Sequence, residues 1–162
     1  MNTPLKFRNT FTATVTHKDG TEEKYIFPNG MTDVGRQYAL DVALDSGTQL
    51  PSWYLGIIDA AAYSAVAASD TRASHAGWTE LVAYTEGNLP EWIKSRTGNI
   101  MSNLAPAVFN FTTTETLKGL LVGESNTKGG TTGILWATAL FPADVNVSNG
   151  STLNVTYSVE TV

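Results

Sequence analysis

Between Lys6 and Thr16 the chain alternates between apolar and polar residues, with Asn9 the one polar residue on the apolar side. Phe7, Phe11, Ala13 and Val15 fall on one face of an extended backbone, and Arg8, Thr10, Thr12, Thr14 and Thr16 fall on the other. Successive side chains of a strand point to opposite faces, so this pattern predicts a strand with one face buried. The same period of two returns at the far end, where Leu153, Val155, Tyr157 and Val159 alternate with polar residues. A helix cannot gather every second residue onto one side. Both ends of the chain are therefore committed to sheet.

Turn chemistry divides the rest into short extended pieces. Lys18-Asp19-Gly20 predicts a hairpin turn, with Glu23 to Phe27 returning antiparallel. The resulting hairpin over 5–27 could extend as an arm. Pro28-Asn29-Gly30 ends it. Further strands are expected at Ser52 to Ile58, Glu80 to Tyr84, Ala107 to Thr113, Leu117 to Gly123 and Ile134 to Phe141, with a short one at Val145 to Val147. The strand WYLGII places Trp53, Leu55 and Ile57 on one face and Tyr54 and Ile58 on the other. It should be covered on both sides. The run from Glu86 to Pro106 reads mostly as loop, broken by Gly, Asn and Pro.

One helix interrupts this series, near residues 33–45. Thr32 is its expected N-cap and Asp33 sits in the first turn. Val34, Tyr38, Ala39 and Val42 make its apolar face, and Ser46-Gly47 stops it. Several short strands with a turn every ten or so residues predict a mainly β fold, an antiparallel two-sheet sandwich, jelly-roll-like or Ig-like. The 162 residues fit one domain spanning 1–162.

Charge and composition narrow the partners. Lys and Arg total 10 against 15 Asp and Glu, and the basic residues are scattered, so no electrostatic footprint for nucleic acid is expected. No transmembrane run is present and no membrane partner is expected. The start, MNTPLKFRNTFTATV, has no apolar core of signal-peptide length, so no export signal is expected. There is no cysteine, which removes disulfides, thiolate metal sites and a Cys nucleophile together. Charged residues make up 15% of the chain, well under the usual quarter. A surface of Thr, Ser, Asn and Gly suits either a chain packed in an assembly or simply an all-β fold with threonine outside.

Between the strands at Trp53 and Tyr84 lies a segment that is neither periodic nor plainly solvated, AAAYSAVAASDTRASHAGWT. It holds Ser74, His75 and Asp70, nominally a catalytic set. Adjacent side chains seldom face each other, and the chain has no G-x-S-x-G elbow. Asp70, Thr71 and Ser74 are better read as tying a tight loop through side chain to backbone bonds. His75 with Asp70 or Glu80 offers two metal ligands, which make no site. The GGTTG run at Gly129 to Gly133 leads into a strand and lacks the Gly-Lys-Ser/Thr of a phosphate loop. His17, beside the hairpin turn, reads as solvated. Trp53 and Trp136 read as core. Trp78 and Trp92 lie in or beside loops, where they would pack, anchor an interface or, if exposed, stack on sugar rings.

The string SDTRASHAGWTE, with WYLGIID before it and TDVGRQYALDVAL, SNLAPAVFNFT, LKGLLVGES, KGGTTGILWATALF and GSTLNVTYSV around it, resembles a family of small structural proteins of tailed bacteriophages and prophages. The resemblance covers nearly the whole chain and is most specific in SDTRASHAGWTE. It implies a virion structural protein made in the bacterial host cytoplasm, most like capsid decoration (cement) proteins on the head surface. A tail or fibre protein contacting the host, with glycan binding through Trp78 and Trp92, is the alternative. The implied partners are the major capsid protein and copies of the chain itself, as a homo-dimer or trimer. The resemblance implies neither an enzyme nor a cofactor. Asp70, Thr71, Ser74, His75, Gly77, Trp78 and Glu80 are its matching positions, read with Trp92 as structural or interface residues.

Overall fold

A computed structural model describes residues 6–162. Residues 1–5, where the expected domain and hairpin begin, lie outside the described residues. The alternating N-terminal run forms β1 (Phe7–Thr16), and the hairpin turn leads to β2 (Glu22–Pro28). At Asn29 the chain crosses to a second sheet through β3 (Gly30–Met31) and enters α1 (Asp33–Leu44). There follow β4 (Tyr54–Asp59), β5 (Glu80–Leu81), β6 (Lys94–Thr97), β7 (Ile100–Asn103), β8 (Ala107–Asn110), β9 (Glu115–Gly123), β10 (Leu135–Val147) and β11 (Thr152–Thr161).

These strands make the expected antiparallel two-sheet sandwich. The first sheet runs β2-β1-β11-β7-β6, with β8 also paired to β11; the second runs β3-β10-β9-β4-β5. The two alternating termini are partners. Phe11 faces Tyr157, Ala13 faces Val155 and Val15 faces Leu153, all fully buried. Thr10, Thr12, Thr14 and Thr16 stand on the outer face opposite Ser158, Thr156, Asn154 and Thr152. Because β1 is hydrogen-bonded to β2 on one side and β11 on the other, the hairpin anticipated as an arm is the body of a sheet.

The core is aromatic as well as aliphatic. Phe11 stacks on Phe27 at 5.7 Å between ring centroids, and Phe27 packs on Phe141 of the opposite sheet at 4.9 Å. One polar bolt crosses it. The buried Tyr157 hydroxyl accepts from Trp136 Nε1 at 2.8 Å and donates to Asn9 Oδ1 at 3.1 Å. Burial pushes the phenol pKa well above its usual value, so it stays protonated and able to donate.

Three elements depart from expectation. The run read as loop after Glu86 contains the β6–β7 hairpin, turning at Gly98, whose φ is +59°. Its strands, KSRT and IMSN, lack an apolar face; they are held by main-chain pairing onto β11, and their Lys and Arg suit a sheet edge. The short strand expected at Val145 to Val147 is the end of β10, which continues past a register break between Leu140 and Val145. Pro142 lies in that break, where a residue without an N–H costs no ladder bond. The strand expected over Glu80 to Tyr84 pairs only at its first two residues.

Helix α1 is capped as anticipated, with Thr32 Oγ1 accepting from Gly35 N at 3.0 Å. The Thr32 hydroxyl also donates to the Leu135 carbonyl, tying the cap to β10. Gly35 is the buried residue of the helix, and a Cβ there would stand 2.4 Å from the Trp136 carbonyl oxygen. Gly35→Ala should therefore reverse the usual helix preference, which favours Ala over Gly by about 1 kcal/mol. Overpacking against β10 should cost about 1–3 kcal/mol. Urea unfolding of the variant measures the sign, and a stabilised protein would refute the close approach.

Candidate functional site

The second sheet is apolar on both faces. Leu55, Ile57, Leu120 and Val122 point into the sandwich, while Ile58, Leu121 and Leu135 form a separate cluster outside it. Segment 60–79 is the cover of that outer cluster. Trp78 is its plug, 2% exposed, with Val34, Tyr63 and Val66 packed around the rim. The SDTRASHAGWTE run is thus positioned by a need of the sheet beneath it, burial of apolar area.

The loop that carries Trp78 is largely self-bonded. Asp70 Oδ2 accepts from Trp78 Nε1 at 2.9 Å and from the Ala67 N–H at 2.8 Å. Ser74 N donates to Thr71 Oγ1 at 3.0 Å, and the Thr71 N–H donates to the Ser74 carbonyl at 2.9 Å. The His75 ring stacks on Trp78 at 3.8 Å, and its Nδ1 lies 2.9 Å from the Trp78 carbonyl oxygen. Gly77 permits the fold-back: its carbonyl accepts from Ser64 N, and a Cβ would fall 2.2 Å from the Ala65 oxygen. Asp33 N of the first helical turn donates to Ala68 O at 2.7 Å, fastening the loop to α1.

A further tie comes from a residue that sequence reading passed over. Arg72 is fully buried and its Nη1 donates to Glu80 Oε2 at 2.7 Å; the Glu80 side chain is 3% exposed. Arg72 Nη2 reaches Thr127 O at 3.2 Å, and Glu80 Oε1 accepts from Gly129 N at 3.0 Å. The ion pair joins the 60–79 loop, β5 and the glycine-rich β9–β10 connection at one point. That connection is further held by Lys128, whose Nζ lies 3.8 Å from the Tyr84 ring centroid and donates to the Tyr84 carbonyl at 2.7 Å.

The geometry assigns the remaining candidates. Asp70 engages the indole and not His75, so Ser74, His75 and Asp70 form no relay. Among the described residues, no three His, Asp or Glu side chains gather at metal-binding distance. Trp92 is 5% exposed and packs edge-on against Tyr157 at 4.8 Å. Neither ring stands free on the surface as a stacking platform for a sugar; both belong to the fold. His17, read as solvated, lies with its Nε2 3.0 Å from Glu23 Oε1 across the hairpin. Hydrogen bonds from Tyr25 and His17 hold the Glu23 carboxyl below its usual range.

No protein-family model matches the chain, and no curated protein matches it in sequence. No helix among the described residues is long and apolar enough to cross a membrane. Some large apolar side chains stay on the outside. Leu44 is 83% exposed, Leu40 59% and Phe7 45%. With Met31 they border an open groove of about 580 Å³ between α1 and the start of β1, with Lys6 and Arg36 also in its lining.

Removing Arg72 would leave Glu80 buried without its counter-charge. Arg72→Ala should cost about 3–5 kcal/mol, whereas Arg72→Met combined with Glu80→Leu should recover most of that. Chemical denaturation of Arg72→Met, of Glu80→Leu and of their double reads the coupling. Strictly additive losses would mean that the two side chains act independently.

Proposed function

We propose that the chain is a bacteriophage virion structural protein, a decoration or cement protein that stabilises the assembled head by protein–protein contacts. The observation that carries the reading is the exposed apolar strip of Leu40, Leu44 and Phe7 on a surface otherwise poor in charge. Contiguous apolar surface on a stable domain marks an interaction site. The family resemblance of SDTRASHAGWTE supports the same reading. So does the way the chemistry-bearing side chains of that run, Asp70, Arg72, His75 and Glu80, are occupied with one another and with backbone.

A cement protein works by binding the assembled shell better than it binds free subunits, which shifts the assembly equilibrium toward the shell. Repetition over the lattice multiplies a modest contact. The partners on this reading are the major capsid protein and further copies of the chain, at the head surface. The groove beside α1 is the docking face for the capsid protein, taking apolar side chains from it.

Purified virions of the encoding phage should carry the chain in numbers comparable with the shell subunit, visible by quantitative mass spectrometry and electron microscopy. A few copies at the tail would sink the decoration reading. Leu40→Asp with Leu44→Asp should strip the protein from heads while leaving its own stability within about 0.5 kcal/mol per site, because both side chains are exposed. Undiminished occupancy of heads by this variant would move the docking face elsewhere.

A further inference from the structure

A second hollow lies on the other side of α1. It has a volume of about 230 Å³ and is lined chiefly by Tyr38, Trp53, Trp92, Lys94, Met101 and Trp136. Three of the four tryptophans of the chain meet here. Trp53 and Trp136 lie 5.4 Å apart between centroids, and Tyr38 closes edge-on against Trp53 at 5.4 Å. Most polar atoms of these rings are engaged elsewhere. The Tyr38 hydroxyl accepts from Leu50 N at 2.6 Å, and Trp136 Nε1 donates to Tyr157.

Two groups differ: Trp92 Nε1, which is buried without a partner among the described residues, and Lys94. The Lys94 Nζ sits 5.7 Å from the Trp92 ring centroid and donates to the Pro51 carbonyl at 3.1 Å. It makes no ion pair among the described residues. The acid nearest in influence, Glu91, accepts instead from Ser52 Oγ at 2.8 Å. Desolvation holds the lysine pKa below its ordinary value, against the opposing charge of Glu91. A partly desolvated ammonium without a counter-charge, beside an aromatic-lined hollow, is complementary to an anion with a flat apolar body. The volume is below the roughly 300–1,000 Å³ of drug-sized sites, so it selects a single ring.

We propose that this hollow binds a monocyclic aromatic carboxylate, with the ring among Trp53, Trp92 and Trp136 and the carboxylate on Lys94 Nζ. This site shares no lining residue but Ala39 with the groove beyond α1, and the proposal stands independently of the shell-binding reading.

The test is a titration of the ¹⁵N-labelled protein with benzoate and with benzyl alcohol, its neutral analogue, followed at the tryptophan indole N–H signals. Benzoate should give saturable shifts at Trp92 and Trp53 with a Kd of about 1 mM, and benzyl alcohol should bind about tenfold more weakly. Lys94→Gln should weaken benzoate about tenfold without changing benzyl alcohol, and Lys94→Arg should restore it. Benzoate affinity should fall as pH rises through the lowered lysine pKa, since the neutral amine no longer attracts the anion. The proposal is overturned by an absence of saturable indole shifts below about 50 mM benzoate, a concentration that would detect binding of only ~2 kcal/mol. Equal benzoate affinity for the wild type and a folded Lys94→Gln variant would overturn it too.

Discussion

A two-layer sandwich can cover only one face of each sheet, and the second sheet of this protein is apolar on both. Ile58, Leu121 and Leu135 face away from the partner sheet, yet all three are fully buried. Leaving three such side chains in water would forfeit roughly 1.5–3 kcal/mol each. The chain meets this with a third layer built from loop. That requirement accounts for the composition of 60–79: small residues that lie close to a sheet, one large indole to fill the gap, and polar residues whose hydrogen bonds replace those a helix or strand would supply.

The Arg72–Glu80 pair follows from the same constraint. A buried ion pair is weak evidence for stability, because desolvating both charges offsets much of their attraction. Here Arg72 Nε has no partner among the described residues, so even the donor set is not fully used. What the pair supplies is direction. Apolar contacts would hold segment 60–79 to the sheet in several registers; a guanidinium that must meet Glu80 and the Thr127 carbonyl together admits one. The nearby glycine-rich connection is fixed at the same point, where Gly129 N donates to Glu80 Oε1.

Where burial or capping leaves a periodic or local mark in the sequence, the structure was readable in advance. The alternation of β1 and β11, the Thr32 cap and the Ser46-Gly47 stop are of this kind. So is the two-sided burial of β4, visible in Leu55, Ile57 and Ile58. The β6–β7 hairpin was not legible, because its stabilisation comes from β11, more than fifty residues later, and leaves no periodic trace in KSRTGNIMSN. At the candidate site, Asp70, Thr71 and Ser74 were legible as loop-tying residues by the short reach of their side chains. Arg72 was not, since its partners Glu80 and Thr127 are set by tertiary packing. The role of Trp78 was half legible: its bulk implied burial, but what it would cover depended on the outer face of a sheet.

The placement of α1 links these inner constraints to the outer surface. The helix rests on β10 through Gly35 and Thr32, and its N-terminus is tied to the middle of the loop cover through Asp33 N and Ala68 O. Fixed in that way, it divides the open end of the sandwich in two. Leu40 and Leu44 face the apolar groove, Tyr38 and Val42 face the aromatic hollow, and Ala39 borders both. Beneath them, Asn9 and Asn29 of the groove and Trp136 of the hollow are joined through the Tyr157 hydroxyl. The two external concavities therefore share one wall and one hydrogen-bonded floor. A side chain at the Gly35 position that lifted α1 from β10 would deform both at once, whereas changes at Leu44 or Lys94 act on one alone.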